Sequence, residues 1–299
     1  MNKRAATRDS PSSSAKGSGS EEPRERNALS IKDILIHVDT SPAYSRRLRL
    51  AIALAQRCDA ALIGAYVLPS PDVMTLASDG TTTAALAAYL ASLEQEATAA
   101  EDRFRAMLSN EGLRGEWRKG RGSVAACLAD WARAADLVVL GQEDPDLALA
   151  LDAPEDVILG CGRPVLVVPY AGEFDRVGEQ ALVGWNGSPE ATRAVHDALP
   201  LLAMSKATTI LSVDPDEDEA ERSEELVRHL ARHGLRAAAE TQESRERAVA
   251  DVLMSEAGAL GCDLIVMGAY GHSRLHETIL GGVTRDMLRR MTLPVLMAH

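Results

Sequence analysis

The sequence predicts an α/β chain built from two tandem doubly wound units, each with a five-stranded parallel sheet. Three observations carry this. Short β-branched runs alternate with amphipathic helical runs at the spacing of β–α–β units. The strand candidates are almost continuously apolar, as in "DILIHV", "DLVVLG" and "PVLVVP", which is the pattern of strands buried on both faces. The whole series then occurs a second time, so the unit is repeated.

Taken in order, residues 1–28 are dominated by Ser, Gly, Pro and charge and have almost nothing to place in a core. They read as a disordered tail. "DILIHV" is the first strand, followed by a turn at Ser41-Pro42 and a helical run to Cys58. "ALIGAYV" is the second strand and residues 84–111 the second helix. Along that helix Leu86, Leu90, Leu93, Ala97, Ala100, Phe104 and Met107 recur at steps of four and three. The stripe predicts a helix lying on its sheet, with an oligomer contact as the alternative. "GEWRK" is a weak third strand, "VAACLADWARA" a helix, and "DLVVLG" and "PVLVVP" the last two strands.

The second series starts at "ALVGWNGSPEATRAV" and continues through "TTILSVD", "RAAAETQ", "DLIVMG" and "PVLMAH". Ser41-Pro42 falls on Ser188-Pro189, and Pro164 on Pro294. The chain therefore divides near residues 171–177, into units 29–170 and 178–299.

Composition narrows the function. The net charge is −12, and residues 1–27 carry six basic and four acidic side chains, which leaves about −14 on the rest. Such a body repels nucleic acid, so a polyanion must be held by local donors. No apolar run is long enough for a membrane span, and no signal-like segment opens the chain. Cys58, Cys127, Cys161 and Cys262 are scattered singly, without metal or disulfide spacing. A cytoplasmic location is the expectation.

The informative stretch is "GAYGHSRLHETILGGVT", from Gly268 to Thr284. Open α/β sheets bind ligands beyond the carboxyl ends of their strands, where strand order reverses. This stretch follows the fourth strand of the second unit and faces "WNGSPE" after its first. Gly268 ends the strand, and Gly271 is expected to take a positive φ. Gly281 and Gly282 precede a short helix, "VTRDMLRRM", whose positive dipole end suits an anion. Thr284 adds a hydroxyl, and Arg274 and Arg285 add nearby positive charge. Together these residues predict a phosphate cradle.

Other constellations are weaker. His229 and His233 are four apart on a helix with no third ligand in view and read as a solvated face. His272 and His276 are expected to face solvent. Trp185 is expected to pack in the core, with a base contact as the alternative. "DPDEDEAERSEE" places acids in the first turns of a helix, where the dipole favours them. The G-x4-G-K-[S/T] phosphate loop is absent, as is a G-x-S-x-G nucleophile elbow. A binding protein is expected here, not a catalyst.

Gly268, Gly271 and Gly281 have the G-x2-G-x9-G spacing of nucleotide-binding universal stress proteins. The chain resembles a tandem member of that family over about residues 31–299. The resemblance implies an adenine nucleotide alpha hydrolase-like fold with strand order 3-2-1-4-5 in each unit. It also implies ATP, with Mg2+, and dimers that a tandem chain mimics internally.

Carried over residue by residue, Asn186 takes the place of the family's acid, and Val213 lies beside adenine. Met267 and Gly268 end the fourth strand, and Gly271, Gly281, Gly282, Val283 and Thr284 surround the phosphates. Two departures stand out: Asn186 is an amide, and Gly282 replaces a Ser or Thr. The first unit keeps Asp39, but its loop has Asp144 in place of Gly271 and Leu151 and Asp152 in place of Gly281 and Gly282. It is expected not to bind ATP and to serve structure or another partner. The function implied is that of an ATP-binding stress or signalling regulator with a protein partner. The alternatives are a scaffold with vestigial sites and a slow ATPase.

Overall fold

A computed structural model describes residues 30–70, 83–146, 154–271 and 282–299. The expected tail, 1–28, lies outside the described residues. The first half contains β1 (Asp33–Val38), α1 (Tyr44–Cys58), β2 (Ala61–Leu68), α2 (Thr83–Asn110), β3 (Gly115–Arg121), α3 (Val124–Ala132), β4 (Leu137–Gly141), α4 (Pro154–Gly160) and β5 (Val165–Val168). The second contains β6 (Gln180–Gly184), α5 (Pro189–Leu202), β7 (Ala207–Val213), α6 (Glu217–Arg232), β8 (Ala237–Gln242), α7 (Val249–Ala259), β9 (Leu264–Gly268), α8 (Gly282–Arg290) and β10 (Val295–Ala298).

Within each half the strands are parallel and follow the expected 3-2-1-4-5 order. The two sheets are not separate. They join through an antiparallel pairing of β5 with β10 into one ten-stranded sheet, ordered β3-β2-β1-β4-β5-β10-β9-β6-β7-β8. Val295 pairs with Val167, Leu296 with Leu166 and Met297 with Val165. All residues of both strands are buried. Each would otherwise be an apolar sheet edge, and pairing them removes two aggregation-prone edges at once.

The core has one layer on each face of the sheet, and each layer runs across both halves. Period-two alternation assigns the strands: Ile34, Ile36 and Val38 of β1 enter one layer, and Leu35 enters the other. Helices α1, α2, α5 and α6 cover the first layer, and α3, α4, α7 and α8 the second. The stripe on α2 lies mainly on the sheet, with Leu93, Ala97, Ala100 and Phe104 buried and Leu86, Leu90 and Met107 half-buried. Side chains set several helix starts. Ser123 accepts from Ala126 N, Ser188 from Ala191 N, and Asp216 from Glu219 N at 2.8 Å. The acidic run falls in the first turn of α6, as Glu217, Asp218 and Glu219.

Candidate functional site

In each half, strands 1 and 4 are neighbours, and their connections leave the sheet in opposite directions. The crevice at their carboxyl ends is where α/β sheets receive ligands. In the second half a cleft of about 350 Å³ occupies that position. It is lined by the ends of β6, β7 and β9 and by the N-terminus of α8.

Eight of the nine candidate residues line it: Asn186, Val213, Met267, Gly268, Gly271, Gly282, Val283 and Thr284. The ninth, Gly281, lies outside the described residues, as do His272, Arg274 and His276. The local geometry follows from the sequence. Trp185 N donates to Leu211 O at 2.9 Å, which carries β6 one residue past its end. Asn186 Oδ1 then accepts from Ser188 N at 3.2 Å and turns the chain into α5. That bond leaves the Asn186 amide NH2 free to donate.

Two glycines are required for reasons of packing. A Cβ on Gly268 would fall 2.5 Å from Ala191 N and 2.6 Å from Glu190 C, both backbone atoms at the start of α5. A Cβ on Gly271 would fall 2.8 Å from Glu190 Oε2. The positive φ expected at Gly271 occurs one residue earlier, at Tyr270 (φ 58°). The Tyr270 N–H donates to Thr284 Oγ1 at 3.2 Å and ties the strand exit to α8. Thr284, only 3% exposed, is therefore partly occupied as an acceptor; its own hydrogen is still available to donate. Val283 is 37% exposed.

No Lys, Arg, His, Asp or Glu is among the described residues that line this cleft. Arg285, expected beside the phosphates, lies elsewhere: it lines the first-half cavity, with its Nε 3.7 Å from Glu155 Oε1. Trp185 Nε1 is buried without a hydrogen-bond partner among the described residues, while the buried Tyr270 hydroxyl is turned toward Glu155 of the first half and Arg285 of α8. Both residues line the cleft. Burial raises the Tyr270 phenol well above its ordinary pKa, so it is neutral at physiological pH. Trp185 also packs against the core, so both readings of it hold in part. Tyr270 and Glu190 were not singled out in the sequence. Nothing about a Tyr between Ala269 and Gly271 announces a left-handed backbone.

The matching region of the first half holds a larger cavity, about 720 Å³. Its chemistry differs. Arg47, 2% exposed, stands where the second half has Ala194. Its Nη2 reaches Asp39 Oδ2 at 2.6 Å and His37 O at 3.0 Å. Asp39 Oδ1 accepts from Ser41 N at 2.9 Å and from Ser41 Oγ at 2.6 Å. Burial pushes the Asp39 carboxyl up, but Arg47, His37 and Ser41 together hold it below its ordinary value. Both oxygens of this acid are thus engaged within the protein. The Arg47 guanidinium also fills the space over Gly141 that a side chain there would need. Glu143, Asp144 and Glu155 add acidic lining. Leu151 and Asp152 lie outside the described residues.

Helix α8 borders both cavities, with its N-terminus in the second and Arg285, Leu288 and Arg289 in the first. Gln142 fastens the halves there: its Nε2 donates to Leu288 O at 2.9 Å, and its Oε1 accepts from Tyr170 N at 3.2 Å.

The histidine pair on α6 has a neighbour that the sequence did not suggest. His196 of α5 lies 5.4 Å, ring to ring, from His229, and His229 lies 4.7 Å from His233. Among the described residues, no group of three or more His, Cys, Asp or Glu is arranged to hold a metal ion. No helix among them is long and apolar enough to cross a membrane.

Comparison with known proteins gives a consistent result. The model of the universal stress protein family matches residues 30–169 and again 179–299. A universal stress protein from Archaeoglobus fulgidus DSM 4304 is similar in structure, with 14% identity, a TM-score of 0.74, and coverage of 90% of this chain and 97% of that one. A functionally unknown protein from Pseudomonas aeruginosa PAO1 aligns at 19% identity with a TM-score of 0.53, covering 90% and 93%. At these identities the structural likeness speaks for the fold. No curated protein matches the chain.

Proposed function

The chain belongs to the universal stress protein family, and from that premise we propose that its second half holds one adenine nucleotide, ATP with Mg2+, in the cleft between β6 and β9. The observation that carries this reading is a cleft with no charged side chain among its described lining residues, a glycine-lined edge, an unpartnered buried indole N–H at Trp185 and a helix N-terminus at one end. Buried polar groups without partners call for a ligand or water to satisfy them. An apolar wall with a few placed donors suits a base and ribose. The N-terminus of α8 suits phosphate.

The adenine lies beside Val213 and Trp185, and the Asn186 amide donates to base or ribose. The polyphosphate runs along Gly268 and Gly271 toward Gly281, Gly282, Val283 and Thr284. With no general base or lysine among the described lining residues, the protein acts as a nucleotide-responsive regulator in the cytoplasm and not as a catalyst.

The first half has a structural role in this reading. Its Asp39 is engaged by Arg47 and Ser41, and it presents carboxylates where the second half presents glycine. It forms an internal pseudo-dimer with the second half through β5 and β10, and its outer surfaces serve a protein partner or a second copy of the chain.

The test is direct. Protein purified without added nucleotide is denatured, and the supernatant is analysed for adenine nucleotides; the stripped protein is then dialysed against Mg-ATP. One nucleotide per chain is expected, lost on Gly271→Val. Absence of nucleotide in both experiments contradicts the proposal.

A further inference from the structure

Tyr270 connects the two halves at the point where the second-half cleft is built. It follows the end of β9, precedes Gly271 and lines the cleft. Its backbone is left-handed, with φ 58°. A residue with a Cβ is strained in that region and stays there only where its surroundings hold it.

Two links hold it. On the cleft side its N–H donates to Thr284 Oγ1 at 3.2 Å, which ties the exit of β9 to the first turn of α8. On the other side its hydroxyl is buried and faces Glu155 of α4 and Arg285 of α8. Burial raises the phenol pKa, so the proton stays on and can be donated toward the carboxylate. Glu155 Oε1 and Arg285 Nε are 3.7 Å apart, and both residues line the first-half cavity. Neither is among the described residues that line the second-half cleft. Further along α8, Gln142 Nε2 holds Leu288 O to the first half at 2.9 Å. One side chain thus runs from the glycine edge of one half to a carboxylate of the other.

The consequence is geometric. The cleft lies between a glycine edge, Gly268 and Gly271, and the N-terminus of α8 at Gly282, Val283 and Thr284. The bond from Tyr270 N to Thr284 sets the spacing of those two edges, and the anchored phenol sets Tyr270. A cleft whose edges are fixed before the ligand arrives loses less freedom on binding.

Resting on the nucleotide reading above, we propose that Tyr270 is a positioning residue for the second-half cleft, and that its anchor on Glu155 is how the first half preorganises a site it does not itself line. The first half is then a working part of the nucleotide site. The coupling is reciprocal: as Glu155 supports nucleotide affinity, so bound nucleotide orders α4.

The experiment is a double-mutant cycle on nucleotide-free, full-length protein. Mg-ATP affinity is measured by calorimetry for the natural chain, Tyr270→Phe, Glu155→Gln and the double variant. Tyr270→Phe keeps the ring and removes only the hydroxyl. Each single variant is expected to bind about three- to tenfold more weakly, within the range seen along coupled networks, and the double variant no more weakly than the weaker single. A role confined to packing would shift the melting temperature and leave the affinity of the folded protein alone. Amide hydrogen exchange of the natural chain adds a readout that needs no variant: Mg-ATP is expected to slow exchange in α4 as well as in α8. If a variant does not fold, this readout decides. Single variants within about twofold of the natural chain, losses that multiply in the double variant, or α4 exchange indifferent to Mg-ATP overturn the role of Tyr270 and leave nucleotide binding intact. Failure of the natural chain to bind Mg-ATP overturns the nucleotide reading itself, and this inference falls with it.

Discussion

Arg47 and Gly268 decide most at the scale of single residues. Arg47 is buried against Asp39 and has displaced the small residue found at the matching point of the second half. Removing one partner of a buried ion pair strands the other. Arg47→Met is expected to lower stability by about 3–5 kcal/mol, and Arg47→Met with Asp39→Asn by clearly less, as read by urea denaturation. Gly268 touches backbone on its open side, so Gly268→Ala must move α5 or β9; about 1–3 kcal/mol is expected. Gly271→Ala displaces only the end of the Glu190 side chain and should cost less. The sequence located both glycines but gave a conformational reason for Gly271 where the structure gives a steric one. Arg47 was not legible in the sequence: it stands between Arg46 and Arg49 in "YSRRLRL", and nothing local tells which of the three arginines is buried.

Helices α5 and α6 meet through three imidazoles, and this contact carries a pH dependence. Burial first, and then His233, His196 and Arg232, hold the His229 pKa below its ordinary 6.5. As pH falls, the unfolded chain therefore takes up this proton before the folded one. The stability tied to His229 is complete above about pH 6.5 and is lost below it. The melting temperature of the natural chain should fall more steeply between about pH 7 and about pH 5.5 than that of His229→Gln. Equal slopes would remove His229 from the account. At this scale the sequence was most readable. Alternating apolar strands and 3.6-period helices are local patterns, and the expected strands and helices lie within a few residues of the observed ones. The pairing of His196 with His229 depends on how two helices cross and could not be read from either alone.

For the whole molecule, the decisive feature is the β5–β10 junction. Two repeated units were evident in the sequence, but their fusion into one sheet was not. Strands "PVLVVP" and "PVLMAH" look the same whether their outer edges meet each other or solvent. The junction makes a prediction. A fragment of residues 179–299 exposes the buried, apolar edge of β10. It should dimerise through that edge, as sedimentation equilibrium would show, because antiparallel pairing of two such edges restores the lost ladder. A well-behaved monomer would mean the junction adds little. The junction also places α8 between both cavities, so a ligand in the second bears on a helix that the first half holds through Gln142.

On the proposed reading, one half of the chain grips a nucleotide and the other does not. Calorimetric titration of nucleotide-free protein with Mg-ATP tests it most directly. One site per chain is expected, near micromolar affinity at about −8 kcal/mol, abolished by Gly271→Val and unaffected by Arg47→Met in a folded variant. A stoichiometry of two, or a flat titration with no thermal protection, would contradict it.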